Sequence, residues 1–149
     1  MRIDCVLDGM IFIPGNVPSS KNNKQIAKSK AGIPFIINSK LSYNYKKNKR
    51  SVFGWLRPRF EKMCMHTPMI YLGFYFVRDS KRKFDFNNAS QIICDLMVDY
   101  KWVEDDNASI LTPVFLGYEV DPEDPGVYLI VMDGEYESCV KKVLNRMGL

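Results

Sequence analysis

The sequence predicts an α/β (α+β) fold, a single domain over residues 1–149 with one mixed β-sheet packed against about three helices. Three observations carry this. The chain of 149 residues is long enough to bury a core without disulfide or metal staples. Short runs rich in Ile, Val, Phe and Tyr read as strands, and two longer stretches carry apolar residues at helical spacing. Strands and helices alternate without a strict strand–helix–strand rhythm, and there is no internal repeat or linker.

In chain order, Ile3 to Ile13 reads as an opening strand that stops at Pro14-Gly15. Asn16 to Gly32 is dominated by Asn, Ser, Lys, Pro and Gly and reads as a loop that a polyanion would order. Pro34 to Asn38 reads as a second strand. Ser39 then caps a helix from Lys40 to about Leu56, with Leu41, Tyr45, Val52 and Leu56 near one face and Pro58 ending or kinking it. Met69 to Val77 has the composition of a core strand. Asn87 or Asn88 caps a helix to about Tyr100, apolar through Ala89, Ile92, Ile93, Leu96 and Tyr100, with Asn88, Gln91, Asp95 and Asp99 on its opposite edge. Strands at Ile110–Tyr118 and Val127–Met132, joined by the acidic turn Asp121–Gly126, resemble a hairpin, and Glu135 to Met147 reads as a closing helix.

Several function classes are excluded. Cys5, Cys64, Cys94 and Cys139 lack the paired spacings of zinc or redox motifs and read as reduced, mostly buried thiols. With His66 as its one histidine, the chain suits neither zinc catalysis nor a Ser/His/Asp triad. The longest apolar run, Met69 to Val77, is about half a membrane span, and Asp4 and Asp8 interrupt any signal-type stretch. A cytoplasmic protein with no membrane partner and no small-molecule cofactor is expected. Two Asn-Ala-Ser triplets, at Asn88 and Asn107, carry no meaning without secretion.

The net charge of +4 hides a strong asymmetry: 13 Lys/Arg face 3 Asp/Glu in residues 1–62, and 8 face 14 in residues 63–149, giving +10 and −6. Lys21, Lys24, Lys28, Lys30, Lys40, Lys46, Lys47, Lys49 and Arg50 follow one another with no acid between them. That is the composition of a phosphate-contacting surface, because a solvated helix face ordinarily mixes its signs. Arg78, Lys81, Arg82 and Lys83 add basic charge where the Met69–Val77 strand ends.

Immediately after that basic exit come Asp85, Asn87 and Asn88, then a helix carrying Asp95, then Glu104-Asp105-Asp106. A return of the chain through Lys101 to Val103 would let Asp85 meet Asp105 or Asp106. Magnesium takes hard oxygen ligands, usually a few carboxylates, and retains waters exchangeable for substrate phosphate. The plain alternative is that Asp85 and Asn88 cap a helix while Asp105 and Asp106 decorate a turn. An EF-hand is excluded, since the stretch after Asp85 lacks the central glycine and ends at Leu96 where a bidentate Glu is required.

The block Arg82-Lys83-Phe84-Asp85-Phe86-Asn87-Asn88, with Asp95-Leu96-Met97 and Trp102-Val103-Glu104-Asp105-Asp106, resembles the central motif of RusA-like Holliday junction resolvases. In that family a basic run precedes Asp-x-Asp-Asn, a helix carries another Asp, and an Asp-Asp pair follows. The spacing here matches without a gap. Pro14-Gly15-Asn16, Pro18, Ser20-Lys21-Asn22 and Asn38-Ser39-Lys40 resemble the family's amino-terminal half, so the likeness covers roughly residues 11–132. It implies a compact α/β homodimer, dependence on Mg²⁺ with Mn²⁺ as a substitute, and paired cuts in a four-way DNA junction. Asp85 and Asp106 match the metal-binding acids, with Asp105 beside the second. Asn87 stands where the family usually has another acid, and Gln91 where it often has a lysine. The implied catalytic set is Asp85, Asn87, Asp105 and Asp106, with Asn88, Gln91, Asp95 and Glu104 in support. Two other readings stand beside it: a branched-DNA-binding protein of this fold without cleavage, and a single-strand or RNA-binding module stacking bases on Tyr43, Tyr45 and Trp55.

Overall fold

The computed structural model describes residues 9–19, 24–38, 40–64 and 69–132, with positions 141, 144, 145 and 148. Among the described residues, six strands and three helices follow in the order β1 (Met10–Pro14), β2 (Lys24–Lys28), β3 (Pro34–Asn38), α1 (Lys40–Asn48), α2 (Arg50–Met63), β4 (Ile70–Arg78), α3 (Phe86–Asp99), β5 (Leu111–Val120) and β6 (Gly126–Met132), and positions 141, 144 and 145 are also helical. This is the expected α+β class, with one mixed four-stranded sheet and a separate two-stranded one. Among the described residues no helix is long and apolar enough to cross a membrane.

The main sheet runs β1-β6-β4-β5, with β4 antiparallel to β6 and parallel to β5, and β1 antiparallel to β6. Helix α3 is the crossover between the parallel pair. The expected hairpin of the last two strands is therefore corrected: β4 lies between β5 and β6. A segment with both faces buried seeks two neighbours, and from Leu72 to Arg78 every residue of β4 is buried.

One face of the sheet packs on the helices. Leu72, Phe74 and Phe76 of β4 and Val127 and Leu129 of β6 join Phe53, Leu56 and Phe60 of α2 and Ile92, Ile93, Leu96 and Met97 of α3 in one buried cluster. The other face carries Met10, Tyr75, Val77, Val114, Tyr128 and Ile130 in a second.

Three further expectations are corrected. The stretch read as a loop contains β2, which pairs with β3 across a turn closed by Gly32 N–H donating to the Ser29 carbonyl at 2.9 Å. The single helix from Lys40 is two helices broken at Lys49, and Leu41 is exposed, leaving Tyr45 and Ser42 as the buried positions of α1. Of the two outcomes expected at Pro58, the helix end is overturned, because the residue lies inside α2. Its ring opposes the carbonyl four residues back, and that residue is the exposed Gly54, which has no side chain to crowd the approach. Residues 3–8 of the first expected strand and most of the closing helix lie outside the described residues.

Candidate functional site: a nucleic-acid interface beside an acidic turn

Helix α3 organises the candidate site. Its cap is Asp85, as the plain alternative had it, and not Asn87 or Asn88, two and three residues further on: the residue is extended (φ −101°, ψ 111°), and its carboxylate accepts from the backbone N–H of Asn87 at 3.0 Å and of Asn88 at 3.3 Å. Asp is as good a cap as Asn, and starting the helix here puts Phe86 at its first position, edge-on to Phe74 and Phe76 of the core. Asn87 is exposed and Asn88 half-buried. As the spacing predicted, Ala89, Ile92, Ile93 and Leu96 are buried while Gln91 and Asp99 face solvent.

The chain turns back at the end of α3. Lys101 takes φ 62°, its N–H donates to the Val98 carbonyl at 3.1 Å, and the Trp102 N–H reaches the Met97 carbonyl at 2.8 Å. This is the left-handed closure that ends many helices, here without its usual glycine. Trp102 anchors the turn, stacking on Phe60 and donating its indole N–H to the Phe53 carbonyl at 2.8 Å. The return positions Asp106 against Gln91 on the exposed edge of α3, with Glu104 and Asp105 exposed just before it.

A polar network ties the two parts together. The Gln91 side-chain nitrogen donates to Asp95 at 2.9 Å and to Asp106 at 3.0 Å, so one amide bridges carboxylates from the helix and the turn. Lys46 of α1 donates to the other oxygen of Asp95 at 2.9 Å. Asp105 is fully exposed and held below the usual carboxylate range by the Asn107 side chain at 2.8 Å and then by the Asp106 N–H at 2.8 Å. Burial first, then the charges of Asp106 and Asp95, push the Cys94 thiol up to about 12. Among the described residues, no three His, Cys, Asp or Glu side chains gather as a metal-holding group, and the Asp85, Asn87, Asp106 set contains only two such residues, both Asp.

The expected phosphate contacts divide. Lys28, Lys40, Lys47 and Arg50 are exposed, as are Lys81, Arg82 and Lys83. Lys21 and the side chain of Lys24 lie outside the described residues. Lys46 is committed to Asp95, and Lys49 is half-buried with its ammonium 5.4 Å from the Tyr45 ring centre. Arg78 is a correction: it is 7% exposed, donates to the buried Val17 carbonyl and lies 4.5 Å from the Phe84 ring centre, so it braces the fold and faces no phosphate. Of the rings read as stacking platforms, Tyr43 and Trp55 are exposed and Tyr45 is buried.

Sequence reasoning missed an aromatic cleft beside Asp85. It is about 380 Å³, walled by Phe84, Phe86, Phe115 and Tyr118 and rimmed by Lys81, Arg82 and Lys83. The alternation Phe84-Asp85-Phe86 was a signal for two of the rings. The other two were hidden, because residues three apart on a regular strand point to opposite faces.

Comparison with known proteins finds no family model that matches the chain and no curated protein that matches it.

Proposed function

We propose that this chain is a magnesium-dependent endodeoxyribonuclease that binds four-way DNA junctions as a homodimer in the cytoplasm and hydrolyses one phosphodiester in each of two opposed strands. The single observation that carries the reading is the Gln91 bridge, which joins the helix and the acidic turn of the RusA-like motif into one site. The Gln91 nitrogen holds one oxygen of Asp95 and one of Asp106 within 3.0 Å, and carboxylates are hard-oxygen ligands of the kind Mg²⁺ or Mn²⁺ takes. Asp85, Asp106 and the Asn87 carbonyl would hold the cation, which when bound supplies charge stabilisation to the phosphate. Asp105, fixed by Asn107 and the Asp106 N–H, orients its neighbour. Lys81, Arg82 and Lys83, with Lys40, Lys47 and Arg50, bind backbone phosphates by counterion release. A two-fold dimer on a two-fold junction makes paired incision a consequence of symmetry.

A second reading, junction binding without cleavage, is favoured by one feature: Asn87 and Gln91 are both neutral, so the site has one acid and one cation fewer than the motif it resembles. The test is a labelled four-way junction incubated with and without Mg²⁺, using wild type, Asp85→Asn and Asp106→Asn. Asn at position 85 keeps the helix cap, so the variant removes the charge alone. Cleavage by wild type, lost in both variants at unchanged junction affinity, is expected. Binding without cleavage by wild type selects the second reading, and cutting by either variant defeats the proposed site.

A further inference from the structure

The cleft beside Asp85 has the makings of a binding site for one flat aromatic group carrying negative charge. Phe84 is clamped between the Arg78 guanidinium at 4.5 Å and the Phe76 ring at 5.7 Å, and Phe86 is fixed edge-on to Phe74 and Phe76. Opposite them, on the edge strand β5, Phe115 remains 44% and Tyr118 56% exposed. Phe115 lies against Phe86 with ring centres 4.6 Å apart, and Tyr118 meets Phe84 edge-on at 5.1 Å.

A backbone irregularity makes this wall. Along β4 and β5, Phe74 pairs with Phe115 but Tyr75 pairs with Gly117, so Leu116 is an extra residue in the ladder, and Gly117 sits at φ 130°. The bulge shifts the strand's parity by one. Val114 and Leu116 pack on the second core cluster by ordinary alternation, and the shift after Leu116 brings Tyr118, three residues from Phe115, to the same cleft. Bulges of this kind re-aim side chains next to functional sites. Here the result is two large rings turned outward on a sheet edge.

The rim supplies the charge. Lys81, Arg82 and Lys83 are exposed, and among the described residues none of them is in an ion pair. Three exposed cations beside four rings match a nucleotide, with its base on the rings and its phosphates on the cations. A volume of about 380 Å³ is at the small end of ligand pockets, room for one nucleotide and no double helix.

We propose that this cleft holds an unpaired nucleotide of the DNA strand, its base stacked on Phe115 and Tyr118 and its phosphates on Lys81, Arg82 and Lys83. A base inside a duplex is covered on both faces by its neighbours and cannot reach the rings, so the cleft takes a base only where pairing is broken, as at a branch point. The inference rests on the nuclease reading for the identity of the polymer, and it adds which part of that polymer the protein opens and holds.

The test uses the full chain and two fluorescent probes, a short oligothymidine carrying one 2-aminopurine and a four-way junction with 2-aminopurine at the branch. Stacking on a ring quenches the probe. Wild type should quench both and bind the single strand, while Tyr118→Leu and Phe115→Leu lose the quenching and about tenfold in single-strand affinity, the order expected for one base–ring stack. Tyr118→Trp should restore both, and a thermal melt identifies any variant that fails to fold. Unchanged quenching in folded leucine variants, or no quenching by wild type, overturns the proposal. So does a leucine variant that loses self-association at unchanged oligonucleotide affinity, which would give the cleft to a second copy of the chain. Cleavage without quenching defeats the cleft and leaves the nuclease reading intact. Quenching without cleavage does the reverse.

Discussion

Replacing Arg78 by methionine distinguishes a brace from a phosphate contact. The guanidinium donates to the buried Val17 carbonyl and lies 4.5 Å from the Phe84 ring centre, at a position 7% exposed. A hydrogen bond from a charged donor contributes about 1.5–3 kcal/mol. The contact with the ring adds about 1–2 kcal/mol where it is shielded from water. Against these stands the cost of burying the charge, raised because Nε has no hydrogen-bond partner among the described residues. Methionine keeps most of the stem packing and removes that cost. The net loss is therefore about 2 kcal/mol, or about 4–8 °C in Tm for a chain of this size. The assay pairs urea denaturation with DNA affinity measured across salt concentration well below the melting temperature. The brace predicts lower stability and an unchanged salt slope. An unchanged stability with the slope reduced by about one would return Arg78 to the phosphate-binding set and refute the assignment.

On the proposed nuclease reading, Asn87→Asp should shift the Mg²⁺ dependence of cleavage to lower concentration by at least about threefold, because it would put a formal charge beside the proposed cation; superimposable titrations would make Asn87 only a first-turn residue of α3. Alkaline stability tests the buried thiol. Burial raises Cys94 to about 12, so the folded state holds this proton more tightly than the unfolded state does. The stabilisation is complete below the ordinary thiol pKa and is lost as pH rises towards about 12, at up to about 1.4 kcal/mol per pH unit for this one group. Cys94→Ala should flatten the fall in urea midpoint between pH 9 and pH 11, and parallel curves would contradict the assignment.

The elements that could be read from sequence are those whose pattern is local. Strands β3, β4 and β6 fall within a residue or so of expectation because short runs rich in β-branched and aromatic residues mark them, and α3, marked by apolar residues at helical spacing, starts two or three residues early. Strand β2 was invisible for the complementary reason: its sequence is Lys-Gln-Ile-Ala-Lys, whose one large apolar residue, Ile26, is 78% exposed, so no apolar run marks it. The order of strands is non-local. An acidic turn between two apolar runs looks like a hairpin, and only the both-face burial of β4, earlier in the chain, reveals what separates them. In the candidate site, the residue types could be read and the partnerships could not. Lys46 meets Asp95 across 49 positions and Gln91 meets Asp106 across 15, distances at which no spacing rule operates. The cleft was hidden by Leu116, since one extra residue in a ladder leaves no mark on composition.

Strand order also sets the sequence of events on the ribosome. The residues of the acidic turn and the lining of the cleft lie between Arg78 and Tyr118, on supports from α2 and β4 that precede them, whereas β1 has β6, at Gly126–Met132, as its neighbour in the main sheet. A growing chain can therefore assemble β4, α3 and β5 early, but one edge of β4 and all of β1 wait until the last of these strands emerges. Unpaired edges of this kind invite pairing with other chains. Messages cut short before Gly126 should then yield aggregates for proteolysis, with no soluble fragment competent to occupy DNA.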